Sequence, residues 1–257
     1  MEARLQAALA IARANDGHLS CLHVTPISLY IASDGVNSAY LMPDFAKHLD
    51  EMEAKMRERI EAHLKTEDVS WDYQHVDGDP AQMLVSRSAL SDLIILGRSH
   101  HRETHYTPLT LIGDVLQSAR VPILLQPQER DSFDPLGAAV VAWNGSFEAA
   151  NAIRSALPLL QMASAVHIVT VDEPAEHMLP SLVASTYLSR HGVTSELHAR
   201  TVSNMPIDKV IRETAEVMGA SYIVMGGYGH SRAREFLFGG VTRNLLKESP
   251  IPLLLAH

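Results

Sequence analysis

The last quarter of the 257-residue sequence carries five glycines in the spacing of an anion cradle. Gly226-Gly227-Tyr228-Gly229 is followed, after nine residues, by Gly239-Gly240-Val241-Thr242. Without a Cβ, glycine lets backbone N–H groups come close to a phosphate, and the free N–H groups and dipole of a helix start favour an anion. Val241 and Thr242 would lie in the first turn of a short helix reaching about Glu248, with the Thr242 hydroxyl available as a further donor. Arg232 and Arg234 lie between the glycine pairs, either facing phosphates or as solvated loop charges. A purely structural alternative stays open: Gly226 and Gly229 can serve a tight strand exit, and Gly239-Gly240 a helix that begins close against a sheet.

Other chemistries lack their residues. There is no Gly-x-x-x-x-Gly-Lys-Ser/Thr phosphate loop and no Gly-x-Ser-x-Gly nucleophile turn. No catalytic residue stands out. His100, His101 and His105, with Glu103 among them, form the densest local histidine group. Their loop spacing does not define tetrahedral ligation, so no metal site is expected. Cys21 is the single cysteine; it excludes an internal disulfide framework and fits a reducing compartment. In the apolar strand Cys21 to Val24 it reads as a small hydrophobe.

The elements that would position the glycines recur twice along the chain. Asp79-Pro80 leads a helix over 81–89, and Met205-Pro206 leads one over 207–217. Buried strands ending in glycine follow, Leu93 to Gly97 and Tyr222 to Gly226. Later come Gly113 and Gly239, then Val121-Pro122-Ile123-Leu124-Leu125 and Ile251-Pro252-Leu253-Leu254-Leu255. The offsets are 126, 129, 126 and 130, which predicts two tandem copies of one fold. Continuous apolar strands alternating with amphipathic helices make each copy a doubly wound α/β unit with a parallel sheet. Residues 126–136 read as the linker, with the boundary near 130: a first module over 1–130 and a second over 131–257. About twenty extra residues follow the first module's early strand. Phe45, Leu49, Met52, Met56, Ile60 and Leu64 recur there at helical spacing and predict a covering helix with its stripe in the core. Residues 28–37 precede it as a loop.

Composition narrows the partners. The formal charge of −9, without a basic run, argues against nucleic acid. No apolar stretch approaches the roughly 18 residues of a membrane span, and the first residues lack a secretory pattern. A cytoplasmic location is the expectation. The 14 histidines would carry the charge to +5 if all were protonated, so low pH changes this surface.

These motifs resemble the universal stress protein superfamily, whose nucleotide-binding members carry Gly-x-x-Gly, nine residues, then Gly and Ser or Thr. Gly226, Gly229 and Gly239 match, and the resemblance spans nearly the whole chain as two modules. It implies strand order 3-2-1-4-5 in each complete module, last strands meeting antiparallel across a pseudo-dimer or homodimer interface, and an adenine nucleotide, ATP with Mg²⁺, in the second module. The implied binding positions are Asn144, Val171, Met225, Gly226, Gly229, Gly239, Gly240, Val241 and Thr242. Two depart from the pattern: Asn144 stands where a carboxylate is usual and Gly240 where Ser or Thr is usual. Asn144-Gly145 also reads as a turn pair. The function implied is a stress-response sensor or switch. The rivals are an interaction module that binds no nucleotide and a slow ATPase.

The first module's counterpart is broken. His100 replaces the second motif glycine, three extra residues intervene, and Asp114 is expected at a helix start, where its carboxylate would occupy the anion site. That module is expected to be structural or partner-binding. It also lacks a leading strand: the second begins with 138–143, whereas the first begins in a helix over 2–14. The counterpart of Asn144 falls at −3, for which a mis-assigned or trimmed start is the expected explanation. Its sheet is then expected to close between its second and fourth strands or to borrow a strand from another chain.

Overall fold

The computed structural model describes residues 2–26, 38–98, 108–172, 178–201, 205–227 and 240–257, with backbone only for 38–46 and Pro108. The predicted loops at 28–37 and around His100, His101, Glu103 and His105 lie outside the described residues.

Helix α1, Glu2–Ala14, is alanine-rich, a composition of high helix propensity. It buries Ala3, Ala7, Ala8, Leu9 and Ala12, and packs on β1 (His18–Thr25), β3 (Ile94–Arg98) and β4 (Ile123–Pro127). Between β1 and β3 run α2 (Ser38–Leu64), β2 (Ser70–Asp77) and α3 (Pro80–Arg87). Asp79 caps α3, its Oδ1 accepting from Gln82 N at 2.9 Å, and Pro80 opens the helix where its missing N–H costs nothing. Helix α4, Pro108–Ser118, precedes β4.

The second half runs β5 (Ala139–Ala142), α5 (Phe147–Met162), β6 (Val166–Val171), α6 (Ser181–Arg190), β7 (Glu196–Arg200), α7 (Ile207–Val217), β8 (Tyr222–Gly226), α8 (Gly240–Glu248) and β9 (Leu253–Ala256). The main sheet has seven strands in the order β3-β4-β9-β8-β5-β6-β7. Numbered from its own first strand, the second module reads 3-2-1-4-5 with parallel pairings. The modules join where β4 and β9 pair antiparallel, Ile123↔Leu255, Leu124↔Leu254 and Leu125↔Leu253. Alternation puts Ile123, Leu125, Leu253 and Leu255 in the core on one face, and Leu124 and Leu254 in the core on the other. Both cores therefore contain residues from both halves.

Four expectations need correction. The first module's sheet does not close between its second and fourth strands. β1 and β2 form a separate parallel pair, while β3 and β4 join the second module's sheet. β3 is the end strand of the seven-stranded sheet, and its outer edge, the side on which β1 would have to pair, carries no strand among the described residues; α1 packs on β1, β3 and β4 instead, and the separate pair has its own small core of Leu9, Ala12, Leu64 and Val69. The stripe of α2 is core only at its end: Leu64 is fully buried and Ile60 packs beside it, but Met52 and Met56 are exposed. A 27-residue helix is about 40 Å long, whereas eight-residue strands span about 26 Å, so the helix outruns the pair it covers. The linker starts later than expected, because Gln126 and Pro127 continue β4 opposite Gly97 and Arg98. Asp114 is the seventh residue of α4 and not at its start, the helix having opened at Pro108 where proline is favoured.

Candidate functional site

The order of the main sheet reverses at β5, which has β6 on one side and β8 on the other. Ligand crevices of open α/β sheets lie outside the carboxyl ends of the strands at such a switch point. Ala142 of β5 is level with Val169 of β6 and with Met225 of β8, so the strand exits carrying Asn144, Val171 and Gly226 stand side by side.

At the β5 exit, Trp143 is buried and its indole Nε1 donates to Leu179 O at 3.0 Å. Asn144 is exposed, and its Oδ1 accepts from Ser146 N at 3.1 Å, an Asx turn that leads into α5. Ser146 caps that helix, its Oγ accepting from Ala149 N at 3.2 Å. Gly145 has φ +79°, and a Cβ there would lie 2.7 Å from Leu179 O. Sequence reasoning read Asn144-Gly145 as a turn pair but singled out neither Trp143 nor Leu179 as shaping this exit. The Asn-Gly pair was the local signal, but the Leu179 contact is long-range. At the β6 exit, Val171 is half-buried and pairs with Arg200. Asp172 follows with φ 57°, its N–H donating to Arg200 O at 2.8 Å.

The glycines separate by what surrounds them. A Cβ on Gly226 would lie 2.6 Å from Ala149 N and 2.7 Å from Glu148 C, so β8 leaves the sheet pressed against the first turn of α5. Packing alone therefore demands glycine at 226. Gly227 rests on Leu116 of α4, in the first module, and donates to Ala256 O at 2.9 Å. Gly240, the first residue of α8, is exposed, and a Cβ there would meet no described atom within 4 Å. Among the described residues, packing gives no reason for glycine there. Val241 packs against the cluster that contains Met225 and Val169, and Thr242 is half-buried beside it. Gly229, Gly239, Arg232 and Arg234 lie outside the described residues.

In the first module, Arg98 takes the position of Gly227, one residue after the glycine that matches Gly226. Its guanidinium is buried and crosses to the second module, Nη1 donating to Ser249 O at 2.7 Å just beyond α8, with Glu129 3.4 Å from Nη2. A cation there complements the carboxyl end of the helix dipole. Arg98 thus acts as an inter-module clasp at the strand exit where the second module has Gly227.

The sequence profile of the universal stress protein family matches residues 2–125 and again 137–257. The chain belongs to the universal stress protein family. A universal stress protein from Archaeoglobus fulgidus DSM 4304 has a similar structure: TM-score 0.70, 18% identity, covering 98% of this chain and 90% of that one. A putative universal stress protein from Pseudomonas aeruginosa UCBPP-PA14 is similar at TM-score 0.57 and 19% identity, over 97% of this chain and 86% of that one. No curated protein matches the chain. At these identities the likeness establishes the shared fold, which carries two tandem universal stress modules. None of the helices among the described residues is long and apolar enough to cross a membrane.

Proposed function

We propose that this universal stress protein binds an adenine nucleotide, ATP with Mg²⁺, in its second module (131–257) and acts as a sensor or switch with slow hydrolysis at most. The first module (1–130) serves as a structural or partner-binding half without a nucleotide. The supporting observation is the start of α8: Gly240 is the exposed first residue of a helix at the switch-point end of the sheet, where free backbone N–H groups and the helix dipole suit a phosphate. Val171, half-buried at the neighbouring strand end, suits the base; Met225 keeps its side chain in the core and offers only its backbone, and Thr242 offers a hydroxyl in the first turn.

Two observations favour the rival, an interaction module that binds no nucleotide: Gly240 lacks the hydroxyl that nucleotide-binding members carry at that position, and Asn144 lacks the carboxylate. The Asn144 carbonyl is already used by the turn into α5, which leaves only its amide N–H groups for a ligand. The two readings separate on what accompanies the purified protein. Nucleotide released on unfolding and identified by mass spectrometry supports binding; an empty filtrate, with no affinity for added ATP and Mg²⁺, leaves the interaction module.

A further inference from the structure

His167 on β6 and Glu196 and His198 on β7 point from one face of neighbouring strands. Glu196 is the register partner of His167, and His198 is two residues further along β7. His167 Nδ1 is 3.1 Å from His198 Nε2, and each of these nitrogens is 3.5 Å from Glu196 Oε2. A tetrahedral zinc ion bound at roughly 2.0–2.2 Å sets its ligand atoms about 3.3–3.5 Å apart. The three protein atoms already form one face of that tetrahedron.

We propose that His167, Glu196 and His198 bind a divalent zinc ion, with water as the fourth ligand. Two imidazoles and one carboxylate are a borderline donor set that suits Zn²⁺ and leaves one position open. Both imidazoles must be neutral to donate. His167 Nδ1 and His198 Nε2 stand at hydrogen-bond distance, with the tautomer deciding which donates. With the ion in place, both lone pairs turn inward and each neutral ring carries its proton on the other nitrogen, His167 Nε2 and His198 Nδ1. The two histidine side chains are mostly buried, while Glu196 is 69% exposed on β7, the end strand of the sheet. Entry is thus open on the carboxylate side.

The site is separate from the nucleotide crevice. His167 lies four residues before the carboxyl end of β6, about 13 Å along the strand. Its occupation would pin the end strand β7 to β6 without touching Gly240, and it does not rest on the nucleotide reading.

The test uses the full untagged chain, stripped with chelator, dialysed and titrated with zinc alone. Wild type is expected to carry one zinc per chain through gel filtration, and its cobalt form to show the visible absorption of a four-coordinate ion. His167→Asn and His198→Asn should each weaken binding by more than the roughly 10–100-fold that loss of a supporting partner costs. Glu196→Gln sits on the exposed edge and keeps the fold, so it separates ligand loss from misfolding; it should also lose the cobalt signature. Glu53, His75 and Asp77 form another compact group, and His75→Asn is the control that should leave binding unchanged. Wild type without retained zinc, equal affinity in all three ligand variants, or loss in the His75 control instead would overturn the assignment.

Discussion

Leu124 and Leu254 are equivalent residues of the two copies, 130 positions apart, and each is the other's register partner across the antiparallel joint of β4 and β9. A residue paired with its own repeat marks a local pseudo-two-fold axis, the intramolecular form of an isologous interface. Both side chains are 1% exposed or less. Leu124→Ala and Leu254→Ala should each cost about 3 kcal/mol, within the 2–5 kcal/mol found for buried leucines. Because the two touch one core, the double variant should cost less or more than the sum of the single effects, by at least ~0.5 kcal/mol. Urea unfolding of the four proteins measures this, and simple additivity would contradict a shared joint.

Gly226 and Gly240 should respond in opposite ways to one methyl group. Gly226→Ala forces a Cβ into the backbone of α5 and should destabilise by about 1–3 kcal/mol. Gly240→Ala meets open space and should stay within about 0.5 kcal/mol of wild type. Thermal unfolding of the two ligand-free variants checks the contrast.

His23 makes the first half acid-sensitive. Burial first, then the His75 ring and the Arg4 charge, push its pKa below the ordinary 6.5, while Glu53 pulls it up; Tyr73 Oη is hydrogen-bonded to its Nδ1 at 2.9 Å. The unfolded chain therefore takes up a proton at a higher pH than the folded one. The contribution is full above the ordinary histidine value and is lost as pH falls from there through the lowered folded value. Stability measured from pH 8 to pH 5 should drop on the acid side, and His23→Gln should flatten part of that drop.

Tyr222 is fully buried against Phe133, and its hydroxyl has no hydrogen-bond partner among the described residues. Burial, with Asp134 nearby, raises its pKa far above the ordinary phenol value. Tyr222→Phe removes an unsatisfied polar group and keeps the ring, so it should be neutral or stabilising by up to about 1 kcal/mol. Destabilisation beyond ~1 kcal/mol in denaturant unfolding would show that the hydroxyl is satisfied.

Most of the frame was legible because it is written in local pattern. The Pro-led strands at 121–125 and 251–255, the helix over 207–217 and the helix start at Gly240 follow from apolar runs, proline and glycine alone. The antiparallel joint came instead from the family resemblance. The split of the first sheet was not legible, since no local pattern says whether the outer edge of β3 reaches β1 when the strand between them is missing. The exposure of Met52 and Met56 depends on how far the strands beneath α2 reach, which periodicity does not encode. The histidine group noticed in the sequence was the contiguous one at 100–105. His167 and His198 are 31 residues apart and meet only through the register of β6 and β7. Gly226 and Gly240 looked alike in the motif, and only their surroundings divide a packing glycine from an open one.

The central claim is nucleotide binding at the start of α8, and the melting temperature of wild type and Gly240→Asp with and without ATP and Mg²⁺ tests it most directly. An aspartate there has room, caps the free N–H groups and repels phosphate, so the variant should fold as well as wild type. At ligand concentrations 100-fold above Kd, wild type should gain about 2.7 kcal/mol, a rise of roughly 5–10 °C for a chain of this size. Gly240→Asp should show no rise. Equal shifts in both proteins, or none in wild type, would contradict the account.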